Sequence, residues 1–441
     1  MSLKTNTQQY AVIFFIGFLI SLIATFYQHI RFDILNLNFE TSAYVNIDIS
    51  NSSRLPMYPY FTLFIFKIFG SDNYLAISII QSLINGVTIF TLFAIKNFFT
   101  KKFFWTSLFL LGFNINFFWS STIILPDNLY VFFLTIGMFF FLKFIYKKQL
   151  LFYIFIGSIF LFFASLTKPV GLLLPFFLSF FLLFFLLFRK EKSFSRIIIC
   201  IFIPIFFCNV LASKINYKLT GKSITTQKSS HLLYWVYPCL KQKWGCGARD
   251  SDSLNKVLTL AENKIKKLEN ITHNEKLPDK FIVKPEHYKI QMEIFYDEIK
   301  KIPPFQIILS TFGSTLKLLF HTPIVGIFAR HDISYIDLKS IISIKDFNFS
   351  INGSIWLLFQ IILILLRLVQ LYGLFSLFKS NSEKNFWSII FLISFILPFL
   401  ITSIGMGNFR YRIPIEPALF ILTIIGLKKI NKKVKLSLYK R

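Results

Sequence analysis

Pro169-Val-Gly-Leu-Leu-Leu-Pro175-Phe-Phe-Leu-Ser-Phe-Phe-Leu-Leu-Phe-Phe-Leu-Leu-Phe188 contains no charged side chain. Its length is the ~20 residues that a helix needs to cross a hydrocarbon core. Apolar stretches of this kind recur from end to end of the 441-residue chain, near 10–29, 74–95, 103–119, 128–146, 150–166, 169–188, 197–213, 355–378, 386–404 and 412–427. The chain is 55% hydrophobic with 59 Phe, and its mean hydropathy is +0.61. A soluble core does not need that much apolar sequence, so the expected fold is an all-α polytopic integral membrane protein with about ten transmembrane helices. The first stretch, Tyr10 to Phe26, has only Lys4 ahead of it and no small-residue cleavage site after it, so it is read as a retained span.

The charges lie between these spans. The chain carries 48 Lys+Arg against 21 Asp+Glu, a net charge of +27. Lys96, Lys101 and Lys102 fall in one short loop, Lys143, Lys147 and Lys148 in the next but one, and Arg189, Lys190, Lys192 and Arg196 follow in the same alternation. Lys379 and Lys384, then the tail Lys428 to Arg441, keep the parity. Short basic loops stay cytoplasmic, which places both termini in the cytoplasm. The segment around Glu40, the Ser120–Asp127 loop, the long central loop and Gly405–Arg412 then all face the other side. A basic surplus distributed in this way suits topology, anionic headgroups and lipid phosphates rather than nucleic acid.

Four regions follow. Residues 1–213 form an N-terminal membrane module whose first extracytoplasmic loop, 30–73, is expected to carry interfacial helices. Residues 214–304 are the one sizeable hydrophilic part. There Leu254, Val257, Leu258, Ala261, Ile265 and Leu268 form one stripe at helical spacing, and Ile290, Ile294, Phe295 and Ile299 form another, predicting a small extracytoplasmic helical subdomain. Residues 305–354 include an apolar stretch broken by Lys317, His321 and Pro323, read as interfacial or re-entrant helices because one full crossing would invert the parity. Residues 355–441 return to the membrane and end in the basic tail. Cys200 and Cys208 lie within a span and read as inert apolar residues, whereas Cys239 and Cys246 lie in the outer loop, as a disulfide or as two thiols.

The candidate chemistry gathers on the outer face. Glu40 and Tyr44 are four apart and share a helix face, with Asn38 as a reasonable cap. Arg54-Leu-Pro56-Met-Tyr58-Pro59 follows as a proline-stiffened return to the membrane. A carboxylate held there could serve as general base; the plainer reading is an interfacial helix with Tyr58 in the aromatic belt. Asp127 opens a span, where it either caps the helix or faces Glu40 across a cavity. Lys168, before Pro169, either snorkels or contacts phosphate. Arg410 and Arg412 sit on the outer face against the charge trend, as suits bidentate phosphate binding or a headgroup anchor. The histidines show no metal-ligand spacing, and there is no P-loop, dinucleotide fingerprint or serine elbow. No cofactor is required, although Glu40 and Asp127 would be the natural ligands of a divalent cation.

Taken together, these motifs resemble the GT-C superfamily of membrane glycosyltransferases, and within it the family 39 type that includes protein mannosyltransferases and aminoarabinose transferases. The acid four residues before a tyrosine matches Glu40 and Tyr44; the turn into the second span matches Arg54, Pro56, Tyr58 and Pro59. A second acid opening the fourth helix matches Asp127-Asn128-Leu129, a Thr-Lys/Arg-Pro element matches Thr167-Lys168-Pro169, and a late Arg-Tyr-Arg-x-Pro element matches Arg410 to Pro414. The first acid is more usually Asp in this family, which leaves Asp33 and Asp48 as alternatives to Glu40. The resemblance implies transfer of a sugar, with inversion, from a polyprenyl-phosphate donor to a lipid, protein or polysaccharide acceptor. Glu40 and Asp127 would be catalytic, and Tyr44, Arg54, Tyr58, Lys168, Arg410 and Arg412 would hold substrate and phosphate. A bacterial inner membrane is the expected location. The competing classes are a lipid or solute transporter, which would show inverted repeats and broken helices at mid-depth, and a polysaccharide polymerase or ligase.

Overall fold

A computed structural model describes residues 3–32, 55–100, 105–108, 120–146, 151–221, 231–242, 251–269, 285–320, 351–379, 383–402 and 409–438. Glu40, Tyr44, Arg54, Cys246, the first-loop helices before residue 55 and most of the expected span 103–119 lie outside the described residues.

The described residues form helices joined by turns, without strands. The helices are α1 (Leu3–Phe32), α2 (Met57–Phe69), α3 (Tyr74–Phe99), α4 (Asp127–Tyr146), α5 (Leu151–Thr167), α6 (Leu174–Phe188) and α7 (Phe194–Thr220). After them come α8 (Ser251–Glu269), α9 (Pro285–Ile299), α10 (Pro304–Phe320), α11 (Ile351–Phe378), α12 (Glu383–Thr402) and α13 (Glu416–Leu438). Five are long and apolar enough to cross a membrane: Gln8–Tyr27, Tyr74–Phe99, Asp127–Tyr146, Phe194–Thr220 and Gln360–Phe378. Leu151–Thr167, Leu174–Phe188 and Phe386–Thr402 are shorter apolar helices. The protein is an integral, multi-pass, all-α membrane protein.

Lipid gives no hydrophobic push between helices, so small residues and polar bonds set the packing. α1 and α3 share a polar seam: the Asn85 amide donates to Ser21 Oγ at 2.7 Å, Thr25 and Ser82 hydroxyls bond at 3.1 Å, and Asn97 bonds Tyr10. α11 and α13 touch backbone to backbone. A Cβ on Gly373 would collide with the Leu422 carbonyl, and one on Gly426 with the Val369 carbonyl, so only glycine fits at either position. α6 packs its Phe181, Phe185 and Phe188 around Trp387 of α12, with ring centroids 6.1, 5.2 and 5.2 Å apart. Pro204 interrupts the hydrogen-bond ladder of α7, which continues as a π turn over Phe206–Leu211.

The basic helix ends meet. Arg189 pairs with Glu383 at 2.7 Å, Lys428 donates to the Phe99 carbonyl at 2.9 Å, and Tyr146 bonds Ser388. The ends of α3, α4 and α6 and the start of α12 therefore lie together at one end of the bundle, as the charge parity requires. Asp127, Lys168 and Arg412 lie at the other.

The two predicted stripes of the hydrophilic stretch pack together. Val257, Ala261, Ile294 and Phe295 from the two predicted stripes share a core with Leu233, Val236, Tyr237, Leu240 and Ile302. Leu268, placed in the stripe by spacing, is instead exposed. The second half of this core comes from a π turn at Leu232–Val236 and a short helix at Tyr237–Leu240. Cys239 is disulfide-bonded, while Cys200 and Cys208 are free and buried. α10 ties the subdomain to the bundle: Gln306 donates to the Leu240 and Lys241 carbonyls, and Ser310 donates to the Cys239 carbonyl at 3.0 Å.

Candidate functional site

Asp127 begins α4 and Lys168 follows the last residue of α5. These two helices pack along their length, with Gly137 against Leu161 and Gly157 against Phe141. Pro169 cannot continue α5 and pushes the residue before it out of helical conformation, so the chain turns into a 3₁₀ segment, Pro169–Leu173. Lys168 is thus held at a break opposite the start of its neighbour. Its Nζ donates to Asp127 Oδ1 at 2.5 Å. The carboxylate side chain is 2% exposed and the ammonium side chain 12%, so the pair is sunk into protein with the cation the more exposed of the two.

Tyr58 is fully buried rather than part of an aromatic belt. Its hydroxyl donates to Gln81 Oε1 at 3.5 Å, and the Gln81 amide donates to the carbonyls of Ile123 and Leu125 at 3.1 and 3.3 Å. Gln81 was not visible as a functional candidate in the sequence, where it is one polar residue inside an apolar span. It fixes the backbone that leads into Asp127 and connects α2 to it.

Arg412 lies in the 3₁₀ turn Phe409–Ile415, and Glu416 opens α13 one helical turn later. Arg412 Nε donates to Glu416 Oε1 at 2.6 Å, and its Nη1 donates to the carbonyls of Leu318 and Leu319 at 2.9 Å each. Arg367, from α11, lies 3.6 Å from the same carboxylate and donates to Leu319 O at 2.9 Å and to Gln370 Oε1 at 2.6 Å. The last carbonyls of α10 carry the negative end of its dipole, so two guanidiniums are favoured there. Arg367, Arg412 and Glu416 are all at most 5% exposed. The expectation that Arg412 binds phosphate meets a side chain already engaged in holding α10. Arg410 lies in the same turn, and its side chain is outside what is described.

The two clusters share one end of the bundle. The Phe409–Ile415 turn packs on α4, the Pro169–Leu173 turn packs on α12, and the Tyr130 ring meets Phe399 edge-on at 6.3 Å. The structure therefore brings Asp127 and Lys168 into direct contact and Arg412 to their side of the molecule. Tyr58 is joined to them through Gln81. Among the described residues no group of three or more His, Cys, Asp or Glu is placed to hold a metal ion.

The dolichyl-phosphate-mannose-protein mannosyltransferase family matches over residues 53–211. The matched stretch contains Arg54, Tyr58, Asp127 and Lys168; Glu40, Tyr44, Arg410 and Arg412 lie outside it. Among solved structures, the chain is similar to the archaeal oligosaccharyltransferase AglB from Archaeoglobus fulgidus, solved in complex with an inhibitory peptide and a dolichol-phosphate. The identity is 12% and the TM-score 0.46, over 97% of this chain and 51% of that one. The chain thus spans about half the length of that protein. No curated protein matches the chain.

Proposed function

We propose that the protein is a membrane glycosyltransferase that moves a sugar from a polyprenyl-phosphate donor to a lipid, protein or polysaccharide acceptor. The observation that carries this reading is the buried Asp127–Lys168 pair within the stretch that matches the mannosyltransferase family. Asp127 already accepts a charged hydrogen bond from Lys168, so its role is to aim the ammonium rather than to take a proton. Lys168 and Arg410 meet the lipid phosphate, where fixed cations stabilise the charge that develops as the sugar leaves. Arg412 stands behind them as the strut that holds α10. Arg54 and Tyr44 serve substrate binding in this reading, and Tyr58, through Gln81, braces the backbone that leads into Asp127.

Glu40 acts as general base in this reading. It takes the proton of the acceptor hydroxyl as that oxygen attacks the anomeric carbon. The bond from that carbon to the phosphate oxygen breaks, configuration inverts, and polyprenyl phosphate departs. No cofactor is required, and Glu40 with Asp127 would be the ligands if a divalent cation takes part. The disulfide at Cys239 supports an oxidising, extracytoplasmic side for the subdomain and site. With the basic ends facing inward, both termini are cytoplasmic, in the inner membrane of a bacterium.

Membranes containing wild type or Glu40→Gln, matched for protein, are incubated with radiolabelled sugar loaded onto the endogenous polyprenyl-phosphate pool. The reading predicts a labelled acceptor with wild type and a loss of at least ~100-fold with the variant. Equal labelling would remove Glu40 as base and move Asp33 or Asp48 forward.

A further inference from the structure

Next to the Asp127–Lys168 pair lies a side chain that the proposed chemistry does not use. Asn128 occupies the first turn of α4 and is 2% exposed, yet neither its Nδ2 nor its Oδ1 has a hydrogen-bond partner. Two further buried hydroxyls, on α3 and α4, are unpartnered. Tyr130 Oη belongs to the same helix turn, and Ser78 Oγ lies one turn before Gln81, whose amide holds the Leu125 carbonyl. A buried amide with both ends open costs roughly 1–3 kcal/mol per unmet group. Such a liability in the helix turn that carries Asp127 points to a ligand that satisfies it.

The chemistry of the amide selects the ligand. Phosphate oxygens only accept, so phosphate would satisfy Nδ2 and repel Oδ1. A sugar hydroxyl both donates and accepts, and a pair of neighbouring hydroxyls meets both ends of an Asn at once. Resting on the reading of Lys168 as the phosphate contact, the sugar attached to that phosphate arrives within a few bonds of Lys168, and Asn128 lies in the same first turn of α4 as Lys168's partner Asp127. We propose that Asn128 reads the hydroxyls of the donor sugar, while Lys168 holds its phosphate. Asn128 is then a specificity-determining contact, neutral so that it does not compete with the ammonium for the phosphate.

The test uses the full chain, purified in detergent, with melting temperature and competition binding as readouts. The probes are decaprenyl phosphate and a set of decaprenyl-phosphate sugars: mannose, glucose, galactose and aminoarabinose. Wild type and Asn128→Ala should bind decaprenyl phosphate equally, which also shows that the variant is folded. At least one sugar-bearing donor should bind wild type about tenfold more tightly than decaprenyl phosphate, and Asn128→Ala should lose that tenfold gain. Without ligand, Asn128→Ala should melt no lower than wild type, because truncation removes an unsatisfied group. Asn128→Ser, which keeps a hydroxyl, should retain part of the gain.

A sugar-dependent gain that survives in Asn128→Ala would overturn the assignment. So would the absence of any gain in wild type, or a fall in ligand-free melting that marks Asn128 as structural and water-bonded. Failure of wild type to bind decaprenyl phosphate at all would instead overturn the donor reading on which the assignment rests.

Discussion

Two carboxylates in this protein each hold two cations, one inside the membrane bundle and one in the extramembrane subdomain. Glu416 faces Arg412 and Arg367, and all three side chains are at most 5% exposed. Glu298 accepts from Lys256 at 2.8 Å and Lys301 at 2.5 Å, with Tyr237 Oη donating at 3.0 Å. Its lysines are 53% and 60% exposed, although Glu298 itself is 4% exposed. The contacts look alike on paper. In the bundle, removing one partner leaves buried charge with nowhere to go; in the subdomain, water takes over the lysines. The first cluster is therefore a structural commitment and the second a pH-dependent staple.

The largest effect is expected at Glu416→Gln. It should lower the stability of the purified protein by roughly 3–5 kcal/mol, because two buried guanidiniums lose their shared carboxylate. Melting in detergent reads this directly, and a wild-type melting temperature would show that the bundle tolerates the charge as the subdomain does. Gly426→Val probes the same region without charge. Its side chain would enter the space of the Val369 carbonyl, forcing α11 and α13 apart at a cost of about 1–3 kcal/mol or more. If it packs normally, the close approach of these helices is not what orders the Arg412 turn.

Glu298→Gln should be milder, about 1–2 kcal/mol at neutral pH. Burial pushes the Glu298 carboxyl up, but hydrogen bonds from Lys256, Lys301 and Tyr237 outweigh this and hold it down to about 2. A folded-state value below the unfolded one stabilises above the unfolded value, near 4.5, and that contribution fades as pH falls from there through about 2. Proteolysis of the subdomain followed from pH 6 to pH 2 should show an acid limb in wild type that flattens in Glu298→Gln. Identical limbs would mean that other groups control the acid response.

The same contrast explains what could be read without a structure. Apolar length marked the helices α1, α3, α4 and α11, and basic loops marked the end at which Arg189, Glu383 and Lys428 meet, because both signals are local and cumulative. Periodicity found Val257, Ala261, Ile294 and Phe295, but not Leu233, Val236 or Tyr237, which pack from a π turn with no regular spacing. At the site, Asp127 and Lys168 were visible as charges at span edges, yet their contact depends on Gly137 and Gly157 letting α4 and α5 close along their length. Gln81 carried no signal, since an amide inside an apolar run looks the same whether it is bonded or open; Asn128 was legible only as the neighbour of Asp127, and its open amide required the tertiary fold. Arg412 was legible as an outer-face arginine; its use by Glu416 and the end of α10 required the tertiary fold.

The central claim is that Lys168, aimed by Asp127, serves the lipid phosphate of the donor. The most direct measurement compares sugar transfer by wild type, Lys168→Met and the double variant Asp127→Asn/Lys168→Met, each purified and reconstituted in proteoliposomes with donor. The single variant leaves a buried carboxylate unpaired and should lose both stability and activity. The double variant should regain most of the melting temperature and remain at least ~100-fold impaired in transfer, because the cation is still missing. Recovery of transfer together with stability in the double variant would contradict the claim and reduce the pair to a brace between α4 and α5.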